Sequence, residues 1–261
     1  MTRTFLQLRY ELLPAPPELA EWIGGLSRID NPTDFPRHFT VLPDGYLRLI
    51  HILTPGQAPH VLLSGLWMRA HPVSVPAHAT LTGIQCKLLA AEHLFPLPLP
   101  LDAARPFPAD GWLGNLLATH DLPALARHLT AYLAPAQPDP RKRALFAALH
   151  REGGGLPVAR LAAEAGWSPR QLHRYFQARF GLSVKAYSGV LRSYAAARQL
   201  RPDDLFASGN YCDQSHGIRE LKKHTGASPR QFDRHRHDRF IQLCPPGVPE
   251  ICAAELIPRS S

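Results

Sequence analysis

The chain has 261 residues, 45% hydrophobic and 19% charged, with a formal net charge of +8. That length and apolar content suffice for a real core and for two domains, which excludes a disordered tail. No run approaches the ~18–20 apolar residues of a transmembrane helix, and MTRTFLQLRYELL lacks the basic-then-apolar pattern of a secretion signal, so a cytoplasmic protein is expected.

Proline is segregated along the chain. Residues 1–140 hold 19 of the 27 prolines, and residues 141–239 hold 4. Proline removes a backbone donor and breaks helices, so a loop- and strand-rich first part and a helical second part are expected. Near the start, Pro17–Leu26 reads as a helix. Val41–Leu53 reads as strand, Pro-Asp-Gly turn and strand, with Leu47, Leu49 and Leu53 on one face and Arg48 and Ile50 on the other. His60–Met68 and Ala79–Leu89 read as further strands, and this spacing of short strands predicts a small barrel or sandwich. The alternate prolines of Phe95–Leu101 force an extended connector. Helices are predicted over Trp112–Leu117 and Leu122–Leu133. The run from Pro135 to Pro140 marks the boundary. The expected organisation is a β-rich domain over 1–134, a linker over 135–140, a helical domain over 141–240 and an irregular tail over 241–261.

Charge follows the same division. Residues 141–239 hold 19 Lys and Arg against 8 Asp and Glu, and the rest holds 10 against 13. A basic segment beside a mildly acidic one implies that only the former meets a polyanion, with strongly salt-dependent binding.

The basic segment contains an ungapped internal repeat. SPRQLHRYFQARFGLSVKAY (Ser168–Tyr187) aligns with DQSHGIRELKKHTGASPRQF (Asp213–Phe232), pairing Arg174 with Arg219, Gly181 with Gly226 and Ser183 with Ser228. In the first unit Pro157 suits the opening of a helix over Val158–Ala165. Ala162 permits a close crossing. Gly166 supplies a left-handed turn, and Trp167 plugs it. Ser168 caps the next helix, where Leu172, Phe176 and Phe180 form an apolar stripe. This is the spacing of two helices crossing through a short turn.

The outward face of that second helix is Arg170, Gln171, His173, Arg174 and Gln177. Such a face suits a major groove, because Arg grips guanine O6 and N7 with two hydrogen bonds and Gln does the same for adenine. Ser183–Leu200 is predicted to be a long joining helix, with Arg192 and Arg198 either touching phosphates or solvated.

LAAEAGWSPRQLHRYFQARFGLSVKAY, the joining helix and YCDQSHGIRELKKHTGASPRQF together resemble the C-terminal domain of AraC/XylS-type transcription regulators. The resemblance covers Pro157–Asp233, with a flanking helix from Arg141. It implies two helix-turn-helix units reading adjacent major-groove segments of double-stranded DNA. Carried over by position, Arg170, His173 and Arg174 meet the groove in the first unit, and Gln214, Ser215 and Arg219 in the second. Lys222 joins them as a further cation, and Arg192 as a phosphate contact. The first part resembles a cupin-like domain found ahead of such units, through Leu42-Pro-Asp-Gly45 and Leu101-Asp102. The implied fold class is α+β: a β-rich cupin-like barrel with flanking helices, then an all-α double helix-turn-helix domain. The resemblance implies ligand sensing or homodimerisation for the barrel, with a small-molecule effector.

The second unit departs from the family pattern. Phe206 stands where the crossing residue is small, Asn210 takes the glycine position, and Gly217 replaces a large core residue, a hole that Phe206 is expected to fill. Arg219 is therefore expected to contribute less than Arg174.

The four cysteines (Cys86, Cys212, Cys244, Cys252) form no CxxC pair and read as free thiols. Neither His235 and His237 nor His38, His51 and His60 form a ligand motif, so no metal is expected, and no cofactor either. No catalytic site is expected, since GxSxG, Walker-type and paired-carboxylate patterns are absent. Two alternatives stand beside the regulator: a small-molecule-binding or enzymatic β-domain with a nonspecific DNA tether, and a degenerate copy that binds partners.

Overall fold

The computed structural model describes residues 2–95, 99–199 and 214–240. Residues 200–213, which include Phe206 and Asn210, lie outside them, as does the tail from 241.

Among its described residues the first part has nine strands: β1 (Thr2–Phe5), β2 (Leu8–Pro14), β3 (Ile23–Asp30), β4 (Arg37–Val41), β5 (Leu47–Leu53), β6 (His60–Ser64), β7 (His71–Val75), β8 (Thr80–Cys86) and β9 (Ala104–Phe107). Seven form an antiparallel sheet in the order β1-β2-β3-β8-β5-β6-β9, and β4 and β7 form a separate two-stranded ribbon. One face of the large sheet carries Leu26, Leu47, Leu49, Ile84 and Cys86 into the main core. The ribbon covers the opposite face, where Phe39 and Val75 pack with Leu8, Tyr10 and Leu81.

Three helices follow or interrupt the strands: α1 (Leu88–Leu94), α2 (Trp112–Leu117) and α3 (Leu122–Leu133). The last two lie where the sequence predicts them. α3 is capped by Asp121, which accepts from the Ala124 amide. α1 replaces the end of the predicted strand Ala79–Leu89. Its residues continue an apolar run without a change of period, so the switch at Lys87 carries no periodic signal.

Two further expectations are corrected. Pro17–Leu26 holds only a 3-10 turn, Pro17–Leu19, before β3 begins at Ile23. The glycine pair inside it serves a sheet: a Cβ on Gly24 would stand 2.6 Å from the Tyr46 ring, and one on Gly25 would stand 2.9 Å from the Leu13 carbonyl. In β5 the third inward position belongs to His51, which is buried, while Leu53 sits exposed at the strand end.

The helical part contains α4 (Pro140–Arg151), α5 (Val158–Glu164), α6 (Pro169–Phe180), α7 (Val184–Gln199), α8 (Gln214–Thr225) and α9 (Pro229–Arg239). Its core is continuous with that of the sheet. Leu145, Phe146, Leu161, Leu172, Phe176 and Tyr187 belong to the same buried cluster as Leu26, Leu47 and Ile84. Leu42, from the turn before β5, packs with Ala197, Leu221, Phe232 and Phe240. Polar contacts reinforce this junction. The Tyr187 hydroxyl donates to the Gly45 carbonyl at 3.0 Å, Lys142 meets Glu92 at 2.7 Å, and the Ala70 amide donates to the His224 carbonyl at 2.6 Å.

Candidate nucleic-acid interface and ligand cavity

The corner between α5 and α6 is closed by backbone bonds. Gly166 has φ +61°, the Trp167 amide donates to the Ala162 carbonyl at 2.8 Å, and the Gly166 amide donates to that of Ala163 at 2.9 Å. This pattern satisfies the last carbonyls of α5 while turning the chain sharply. Ala162 and Leu172 are fully buried in the crossing. Ser168 and Gln171 form a reciprocal capping box, in which the Gln171 amide donates to Ser168 Oγ and Gln171 Oε1 accepts from the Ser168 amide. Trp167 rests against Tyr175, their rings 5.0 Å apart.

The predicted reading face is sorted by this geometry. Arg170, Gln171, His173, Arg174 and Gln177 are all exposed on α6. Gln171 is engaged in its own helix cap, and Gln177 Nε2 reaches the Gly181 carbonyl at 3.4 Å. Arg170, His173 and Arg174 have no intramolecular hydrogen bond or ion pair among the described residues. Other cations are already engaged: Arg143 with Glu21, Arg141 with Asp139, and Arg179 near Glu92. Arg192 is half-buried and donates to the Gly154 carbonyl at 2.7 Å, tying α7 to the loop before α5.

The second unit repeats the backbone plan. Gly181 and Gly226 both adopt left-handed φ, +70° and +72°. Ser183 accepts from the Ala186 amide at the start of α7, and Ser228 accepts from the Gln231 amide at the start of α9. Arg219 and Lys222 are exposed on α8. Gln214 and Ser215 open that helix, and their side chains lie outside the described residues. Gly217 is buried, while its expected partner Phe206 falls in the undescribed segment.

Sequence reasoning missed a second feature. Between the large sheet and its ribbon lies a cavity of about 80 Å³. Its floor follows from strand register. Ser27, Gly83 and Ile50 lie side by side across β3, β8 and β5, with Gln85 and Arg48 paired at one end and Ile29 and Leu81 paired at the other. Phe39, Val41 and Val73 of the ribbon form the roof. Arg48 is paired with Asp44 through both guanidinium Nη atoms, and Asp44 also accepts from the Tyr46 amide. The signal in the sequence was Ile50 beside Arg48 on the face read as outward. Together with Ile29 and Leu81 it marks a sheet covered on both sides.

The histidines do not line this cavity. His51 faces the other side of β5, its ring 5.2 Å from that of His120, whose Nδ1 is 2.6 Å from Thr82 Oγ1. Burial lowers the pKa of both rings. His38 and His60 are exposed. Among the described residues no His, Cys, Asp and Glu side chains group as a metal site. Cys86 is a buried free thiol pushed up to about 12 by desolvation. No described helix is long and apolar enough to cross a membrane.

Residues 161–235 match the family described as a helix-turn-helix domain, and this segment is a DNA-binding helix-turn-helix of the AraC type. No curated protein matches the chain. Among solved structures, a single-substitution variant of apo ToxT from Vibrio cholerae aligns at 11% identity and TM-score 0.39, over 80% of this chain and 96% of that one. Wild-type ToxT of the same organism, bound to an unsaturated fatty acid, aligns at 10% identity and TM-score 0.39, over 79% and 94%.

Proposed function

We propose that the protein is a sequence-specific transcription regulator acting in the cytoplasm. In this reading α6 enters the major groove of double-stranded DNA, α8 addresses the adjacent segment, and the β-rich part receives a small-molecule effector or pairs with a second copy. The observation that carries it is the exposed trio Arg170, His173 and Arg174, whose side chains have no hydrogen bond or ion pair among the described residues, on a helix fixed by a glycine corner and a capping box. A rigid helix presenting uncommitted donors is what base-edge readout requires, and its N-terminal half is the part that reaches bases.

The test is selection of retained duplexes from a random library, followed by salt titration of the winner against random DNA. The regulator reading expects one sequence family whose binding survives a salt level that abolishes random binding. Retention without sequence preference would favour a nonspecific tether.

A further inference from the structure

The cavity beneath the ribbon is asymmetric in a way that specifies its occupant. At the Gln85–Arg48 end the walls carry an amide and a guanidinium, and toward Ile29 and Leu81 they are aliphatic except for Ser27 beside Gly83 and Tyr10 beside Ile29. Phe39 and Val73 close the apolar part from above. Gly83 lies at the centre of the floor, where a Cβ would stand in ordinary contact with the Leu49 carbonyl and Ser27 Oγ at 3.5 Å and Ile50 Cγ1 at 3.6 Å, so a small side chain fits there and a larger one would project into the cavity.

The polar end already holds an ion pair. Asp44, 4% exposed, holds the guanidinium of Arg48, 14% exposed. A guanidinium has five N–H donors, and Asp44 takes two, which leaves donors for a neutral acceptor. An anion entering beside Arg48 would meet the Asp44 carboxylate at close range in a poorly solvated site, an unfavourable arrangement. A cation would meet the guanidinium. The volume is about half that of the ~150 Å³ apolar cavity that takes up benzene, so the occupant is compact.

Resting on the regulator reading above, we propose that this cavity binds a small uncharged molecule with a short apolar body and one hydrogen-bond-accepting oxygen, such as an aliphatic ketone, lactone or ester. The oxygen lies toward Arg48 and Gln85, and the apolar end lies over Gly83 toward Leu81. The binding reports to the rest of the molecule by a short route. Arg48 grips Asp44, and the next residue, Gly45, accepts the Tyr187 hydroxyl of α7.

The experiment titrates the full chain with acetone and with acetate, following calorimetric heat and thermal midpoint. Saturable binding of acetone is expected, with acetate at least about tenfold weaker. Gly83→Val, which fills the floor, is expected to weaken the ketone about tenfold or more. Gly83→Ala, a single added methyl, gives a smaller loss and serves if the valine variant does not fold. Acetate binding as tightly as the ketone would overturn the proposal, because Arg48 would then be exchanging Asp44 for a ligand carboxylate. Absence of saturable ketone binding, or binding indifferent to both Gly83 substitutions, would overturn it equally. The outcome is separable from that of the DNA selection, since each assay is read without the other's ligand.

Discussion

Arg174 offers the most direct test of the reading face, because its two possible roles predict different numbers. It is exposed and has no intramolecular partner among the described residues, so Arg174→Ala removes no contact that holds the fold. Stability should stay within about 0.5 kcal/mol, as for ordinary surface positions. A guanidinium bridging guanine O6 and N7 contributes roughly 1–3 kcal/mol of discrimination, a loss of about 5- to 150-fold in affinity for the selected sequence. The same change should leave random DNA nearly unaffected. If Arg174 met only phosphate, affinity would fall evenly across sequences and the salt slope would drop by about 1. The assay is a gel-shift titration of wild type and variant on selected and random duplexes at several salt concentrations, with urea unfolding in parallel. An unfolding loss well above 1 kcal/mol, or unchanged affinity for the selected duplex, would refute the reasoning. Arg219→Ala should cost less than Arg174→Ala, and equal losses would remove the ranking of the two units.

Tyr187→Phe removes the hydroxyl that donates to the Gly45 carbonyl in a fully buried setting, so a loss of about 1–3 kcal/mol is expected in urea unfolding. A change below about 0.3 kcal/mol would show that the bond contributes little beyond packing of the ring. His150 gives a pH dependence. Burial, with Lys87 nearby, lowers its pKa from 6.5 to about 3. The unfolded chain therefore takes up this proton near pH 6.5, while the folded chain resists until about pH 3. Stability is full above pH 6.5 and is lost progressively as pH falls toward 3, by as much as roughly 5 kcal/mol. His51 and His120, also lowered, act in the same direction. His150→Phe should flatten the acid limb of the urea midpoint against pH, and an unchanged limb would assign the loss elsewhere.

The helix corner was legible because everything that builds it is local. Gly166, Ser168 and Leu172 act within one turn of each other, and each has a single strong backbone or packing preference. The 45-residue repeat was legible for the same reason, and the matching left-handed Gly181 and Gly226 bear out the alignment. The β-rich part was only partly legible. Alternation identified β5, yet His51 rather than Leu53 completes its inward face, because the polar ring finds His120 and Thr82 nearby while Leu53 ends the strand. β3 was hidden by proline and glycine that serve turns and close packing against Tyr46. Ile50, Ile29 and Leu81 signalled a covered second face, but not the cavity beneath its cover. That cavity depends on β4 and β7 folding back over a sheet face that includes Arg48, and no spacing within either strand encodes that long-range pairing.

The shared core has a consequence for how such a chain can be taken apart. Leu42 sits among Ala197, Leu221 and Phe232, and a Cβ on Gly45 would lie 2.6 Å from Leu191. Severing the chain near Pro140 would bare a greasy scar on both fragments, so neither half is a cassette to be transplanted alone. A hybrid that borrows the rear half must also inherit Leu42, Gly45 and Ala70, or rebuild the seat they provide.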